Sequence, residues 1–215
     1  MASYQTKSAR PKRYLKSEFS VPIYTAELNL DVKDLQHFCK KHQQKNKEGQ
    51  DKSNNGGYQS NFILPHKGPL GPLIKQIETN ANIFSKQFLS KKFNQKITSI
   101  WMNTNSYKDS NRVHNHPGSA ISGVYYVKAP SSAGNIVFQH PVMNELGFYY
   151  NSFQALPGDV NEPEEYNQYN TSLVKAPAIE NTLYLFPSWL MHYVESNMNK
   201  TEERISISFN ISPSK

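Results

Sequence analysis

Residues 204–211 read RISISFNI, so that Ile205, Ile207, Phe209 and Ile211 alternate with Arg204, Ser206, Ser208 and Asn210. Successive side chains of a β-strand point to opposite faces, and this segment therefore has one apolar and one polar face. A polar inner face is unusual for a packed core but normal for a strand that lines a ligand cavity. From about residue 96 onward the chain carries further short β-type runs, KITSIWMN, SAISGVYYVK, NIVFQ, TSLVKA and TLYLF, separated by Pro, Gly and Asn. Many short strands without alternating helices argue for a mainly β sandwich or jelly roll, with the main β-region over 96–212.

The N-terminal half reads differently. FSVPIYTAELNL has the composition of a first strand, and Asp31 is placed to cap a helix whose Val32, Leu35, Phe38 and Cys39 recur at helical spacing. The polar run over 43–60, with SNNGG inside it, is expected to be a loop. After Pro69 and Pro72, the residues Leu73, Ile74, Ile77, Ala81, Phe84 and Phe88 mark one face of a second helix that should cover the sheet from outside. The helical elements thus fall in 31–93, inside a single domain over 18–215 that follows a basic tail over 1–17 without hydrophobic period.

Charge and cysteine content narrow the function classes. The formal net charge is +7, and residues 1–100 hold 17 of the 24 Lys and Arg. Lys7, Arg10, Lys12, Arg13 and Lys16 form one cluster and Lys40, Lys41, Lys45, Lys47 and Lys52 another. Such clusters can attract nucleic acid, but a solvated tail and helix face is the preferred reading. Cys39 is the sole cysteine, which rules out an intramolecular disulfide and any thiolate-rich metal site. No stretch approaches the roughly 20 apolar residues of a membrane span, and the expected compartment is cytoplasmic. The sequence does not fix the oligomeric state, and a homodimer is compatible with it.

Three histidines carry the chemistry. His114 and His116 lie two apart just before a strand, so in an extended segment they project to the same side and can chelate one metal ion. His192 follows the TLYLFPSWL run, and Arg204 and Ser206 come one strand later. His37, His42 and His66 have no ligand spacing between them, and His140 precedes Pro141 at a strand end. Trp101 and Trp189 are expected in the core.

In the blocks HNHPGSAISGVYYV, LYLFPSWLMHYVESN and EERISISFNI the chain resembles the iron(II)- and 2-oxoglutarate-dependent oxygenases, in particular a bacterial and phage family of them. The resemblance is strongest from Trp101 to Ile211. It implies a double-stranded β-helix (jelly roll) with the N-terminal helices packed on the outside, and Fe(II) held by His114, His116 and His192. It also implies that 2-oxoglutarate binds with its far carboxylate on the Arg204 guanidinium, as a bidentate pair, with help from Ser206. Tyr126 matches a tyrosine that binds the same carboxylate in some members, Ser122 shares its register, and Asn103 resembles a position that contacts the cosubstrate. The implied activity is hydroxylation of a small molecule or a protein side chain.

The chain departs from that family's pattern at His116, where an Asp or Glu is usual. Three histidines also bind iron in cupin-type dioxygenases that do not use 2-oxoglutarate. A carboxylate from Asp109 or Asp159 is the alternative ligand, and a non-catalytic jelly-roll binding module is the third reading.

Overall fold

The computed structural model describes residues 20–62, 68–87, 94–142 and 171–214. In chain order these form β1 (Tyr24–Glu27), α1 (Val32–Lys45), β2 (Asn54–Asn55), β3 (Tyr58–Gln59), α2 (Leu70–Ser85), β4 (Asn94–Asn105) and β5 (Ser110–His114). The remainder are β6 (Ile121–Lys128), β7 (Ile136–Gln139), β8 (Leu173–Ala176), β9 (Thr182–Pro187), β10 (His192–Val194) and β11 (Arg204–Ser214).

Two antiparallel sheets result. One has six strands in the order β1-β9-β6-β11-β4-β3, the other five in the order β2-β5-β10-β7-β8. The mostly β, two-sheet arrangement is a double-stranded β-helix. The alternation in β11 sorts its side chains as the sequence requires. Ile205, Ile207, Phe209 and Ile211 are buried beside Leu35 and Cys39 of α1 and Leu73, Ile77 and Phe84 of α2. Both helices therefore lie on the outer face of the six-stranded sheet. The opposite face, between the sheets, holds a second apolar cluster that includes Val124, Tyr126, Phe138, Tyr184 and Phe186. Strands β6 and β9 are buried on both faces, which is why SGVYYV and TLYLF read as continuous apolar runs rather than alternating ones.

α1 begins where Asp31 accepts a hydrogen bond from the Lys33 amide at 3.0 Å, satisfying one of the donors left open by the first turn. The expected loop over 43–60 contains the last residues of α1 and two-residue strands β2 and β3, joined through Gly56 and Gly57. A Cβ on Gly56 would lie 2.2 Å from Asp109 Oδ1, and its φ of +71° favours glycine as well. Phe88 of the expected second helix, the tail over 1–17, His66 and Asp159 lie outside the described residues.

One expectation fails. Trp189 is 53% exposed, because the turn closed by the Leu190 amide on the Pro187 carbonyl at 3.0 Å buries Leu190 and turns Trp189 outward. Trp101 is buried but belongs to neither apolar cluster; its ring stands 5.7 Å from that of His116, at the edge of the cavity described next. No helix among the described residues is long and apolar enough to cross a membrane.

Candidate metal and cosubstrate site

Strand pairing assembles the histidines. His192 on β10 stands directly opposite His114 on β5, so their rings share one face at a centroid distance of 4.4 Å. His116 lies beyond the end of β5, and its amide is fixed to the Ser188 carbonyl at 2.9 Å. One nitrogen from each ring lies within 4.8 Å of the other two. His116 Nε2 and His192 Nε2 are 3.3 Å apart. Two imidazoles bound to one ion at about 2.1 Å and at right or tetrahedral angles would hold their nitrogens about 3.0–3.4 Å apart.

In His114 and His192 the other ring nitrogen is already engaged. His114 Nδ1 donates to the Arg112 carbonyl at 2.7 Å and His192 Nδ1 to the Leu190 carbonyl at 2.8 Å, since a carbonyl can only accept. Each ring is thereby held in the tautomer that leaves the Nε2 lone pair free for a metal. Among the described residues no carboxylate joins this cluster. Asp109 instead accepts from the Ser106 amide at 2.7 Å in the turn between β4 and β5.

Burial keeps all three rings neutral. The pKa of His192 is pushed down to about 3, first by burial and then by its histidine neighbours, and that of His116 to about 4 for the same reasons. His114 is also lowered by burial, against the opposing bond to Arg112. An unfolded histidine takes up its proton near pH 6.5, so below that pH the unfolded chain binds more protons than the folded one. The stability of the metal-free protein is thus full above about pH 6.5 and falls as the pH drops toward the folded values. Its denaturation midpoint should be lower at about pH 5 than at about pH 7.5; an unchanged midpoint would mean that these imidazoles are as well solvated in the folded chain as in the unfolded one.

A narrow cavity of about 40 Å³ between the sheets joins this cluster to Arg204. Ser206 of β11 stands opposite Asn103 of β4 on one side and Tyr126 of β6 on the other, so the three form one row across the sheet with Arg204 beside it. All four residues line the cavity together with His114, His116 and His192. Ser122 does not join them. It lies opposite Asn210, four residues along β11 from Ser206 and about 13 Å away at strand spacing. Its hydroxyl donates to Asn210 Oδ1 at 2.8 Å. Ser208, whose Oγ accepts from Asn103 Nδ2 at 3.1 Å, and Asn111 also line the cavity and were not nominated from sequence. The alternation of β11 carried the signal for Ser208; nothing in SNRVH marks Asn111.

Arg204 is only 1% exposed, and among the described residues it enters no ion pair. Nη1 donates to the carbonyls of Ala133, Gly134 and Glu195. Among the described residues Nη2 has no hydrogen-bond partner, and neither have the Tyr126 hydroxyl and Asn103 Oδ1. Burial pushes the Tyr126 pKa up to about 12 despite the nearby guanidinium, so this hydroxyl remains a donor. Asp109 attracts the guanidinium from beyond ion-pair distance, but a buried cation with an open N–H beside an unsatisfied buried hydroxyl is costly unless an acceptor anion occupies the cavity.

The jelly roll thus brings three imidazoles that could hold a metal ion and a buried guanidinium with an open N–H into one cavity. A family model described as "Putative 2OG-Fe(II) oxygenase" matches residues 99–210, slightly more than half of the chain. The chain belongs to this family of 2OG-Fe(II) oxygenases, whose cofactors are Fe(II) and 2-oxoglutarate. Among solved structures it is similar to a Pseudomonas putida prolyl-4-hydroxylase, at 10% identity and a TM-score of 0.61, covering 91% of this chain and 95% of that one. It is similar as well to SnoK, a non-heme alpha ketoglutarate dependent carbocyclase from nogalamycin biosynthesis, at 10% identity and a TM-score of 0.60, covering 89% and 79%. HygX from Streptomyces hygroscopicus, with nickel and 2-oxoglutarate bound, aligns at 8% identity and a TM-score of 0.51, covering 90% and 84%. At these identities the likeness shows the fold. A search of curated proteins finds no match for the chain.

Proposed function

We propose that the chain is an active 2-oxoglutarate-dependent hydroxylase in which His114, His116 and His192 hold Fe(II) and Arg204, Tyr126, Ser206 and Asn103 receive the cosubstrate. The observation that carries this reading is the buried Arg204 guanidinium, which among the described residues forms no contact ion pair and leaves Nη2 open, in the same cavity as the three imidazoles. A carboxylate of 2-oxoglutarate would supply the missing charge and accept from both Nη2 and the Tyr126 hydroxyl. These two free donors favour it over a cosubstrate-independent dioxygenase, which has no use for them.

Bound iron and 2-oxoglutarate supply the oxidising power: dioxygen is divided between succinate, formed with release of carbon dioxide, and a substrate C–H bond that becomes C–OH. The chain contributes positioning and exclusion of water. The carbonyl-tethered imidazoles of His114 and His192 present fixed lone pairs, and Tyr126, Phe186 and His192, each at most 3% exposed, line the buried part of the cavity. Substrate approaches from the open side, where a groove lined by Phe62, Trp101 and Val113 reaches His114 and His116.

Purified protein with Fe(II) in air should convert 2-oxoglutarate to succinate slowly by itself and faster when a substrate is supplied. Absence of succinate from iron-loaded protein under every condition would overturn the hydroxylase reading in favour of a binding module.

A further inference from the structure

The orientation of Arg204 is set from outside the cavity. Its Nη1 is shared by carbonyls from two chain segments: Ala133 and Gly134, at 3.4 Å, in the turn before β7, and Glu195, at 3.0 Å, directly after β10. Three acceptors on one nitrogen saturate that edge of the guanidinium. The other terminal nitrogen, Nη2, then points where the two segments direct it.

The Glu195 side chain ties those segments together. Its Oε2 accepts from the Asn135 amide at 3.1 Å and from Asn135 Nδ2 at 2.8 Å, while the Glu195 amide donates back to the Asn135 carbonyl at 2.9 Å. Its Oε1 pairs with Lys175 of β8 at 2.7 Å. The pKa of Glu195 is lowered by these partners, burial opposing, so the carboxylate is charged at neutral pH. Gly134 lies inside the tie at a φ of +81°, where a Cβ would stand 2.5 Å from the Glu195 carbonyl oxygen and 2.6 Å from that of Ser196. Only glycine lets both segments approach closely enough to share Arg204.

We infer that Glu195, Asn135 and Gly134 form a clamp that positions Arg204 for the cosubstrate, so that cosubstrate affinity is controlled by residues that never touch it. This rests on the reading of Arg204 as the carboxylate anchor. With Nη1 committed to the protein, the far carboxylate is held by one guanidinium nitrogen and one tyrosine hydroxyl on adjacent strands, in place of a two-pronged guanidinium fork. Glu195 and its neighbours are therefore positioning residues.

The test is the dissociation constant of 2-oxoglutarate on anaerobic, Fe(II)-loaded full-length protein, with Fe(II) affinity and melting temperature measured in parallel. Glu195→Ala should weaken 2-oxoglutarate about tenfold, the scale of one lost charge-assisted hydrogen bond, and leave Fe(II) affinity unchanged. Glu195→Gln keeps an acceptor for Asn135 and should recover most of the loss. Lys175→Ala removes only a pair whose lysine is 59% exposed and should change affinity about twofold or less. If Glu195→Ala does not fold, Asn135→Ala reads the same link with a several-fold loss. Wild-type affinity in Glu195→Ala or Asn135→Ala, with a lowered melting temperature alone, would overturn the clamp. Absence of 2-oxoglutarate binding in the wild type would instead overturn the reading of Arg204.

Discussion

Arg204→Ala should weaken 2-oxoglutarate binding by about a hundredfold or more while Fe(II) binding survives. The size follows from burial. Removing the partner of a desolvated carboxylate costs several kcal/mol, whereas an exposed pair is worth about 1 kcal/mol or less, and about 1.4 kcal/mol corresponds to tenfold in affinity. At 1% exposure Arg204 falls in the first class. Iron is spared because the His114 and His192 imidazoles are held by the Arg112 and Leu190 carbonyls, the His116 backbone by the Ser188 carbonyl, and the strands by their pairing, none of which involves this side chain. Arg204→Lys should recover only part of the loss. One ammonium cannot both satisfy the carbonyls of Ala133, Gly134 and Glu195 and offer a proton to the cavity. Calorimetry checks both variants, and near-wild-type affinity in Arg204→Ala would place the anchoring carboxylate site elsewhere.

The second large effect belongs to the histidines. His192 is 3% exposed and lies opposite His114 with its Nε2 3.3 Å from that of His116, so it is the most buried ring of the cluster and touches both of the others. His192→Ala should reduce iron from about one per chain to near zero, since two neutral imidazoles leave too few protein ligands for stable binding. His116→Asp restores the carboxylate usual in the family and should retain iron, while His116→Ala should weaken it. Metal analysis after dialysis decides: full iron in His192→Ala would remove the site, and full iron in His116→Ala would place that ring outside the ligand set.

Much of this was legible in the sequence because β11 and its neighbours are long enough to show their period. Residues Ile205 to Ile211 showed one apolar face and one polar, cavity-lining face, and the runs around Tyr126 and Leu183 read as strands, whose burial on both faces only the structure shows. Strands β2, β3, β5 and β10 were not foreseen, as two to five residues are too few to display alternation. That mattered little for His114 and His192, whose grouping at one site was read from spacing and family resemblance. Trp189 was misplaced because hydrophobicity alone does not reveal the tight turn that rotates it outward. The commitment of Arg204 Nη1 to backbone carbonyls was equally invisible: Ala133 lies 71 residues away in sequence, and carbonyl oxygens have no residue signature. Ser122 shared the correct face with Tyr126, yet the distance along β6 carried it to Asn210 instead of the cavity.

The central claim, that one cavity holds Fe(II) on three histidines and 2-oxoglutarate on Arg204 and Tyr126, is tested most directly by the wild-type arm of the anaerobic titration. Fe(II) and then 2-oxoglutarate are added to the purified chain while the visible spectrum is followed. The account predicts a weak charge-transfer band that saturates near one equivalent of each and is missing from His192→Ala. A wild-type protein that binds Fe(II) but develops no band and no calorimetric heat with 2-oxoglutarate would contradict it.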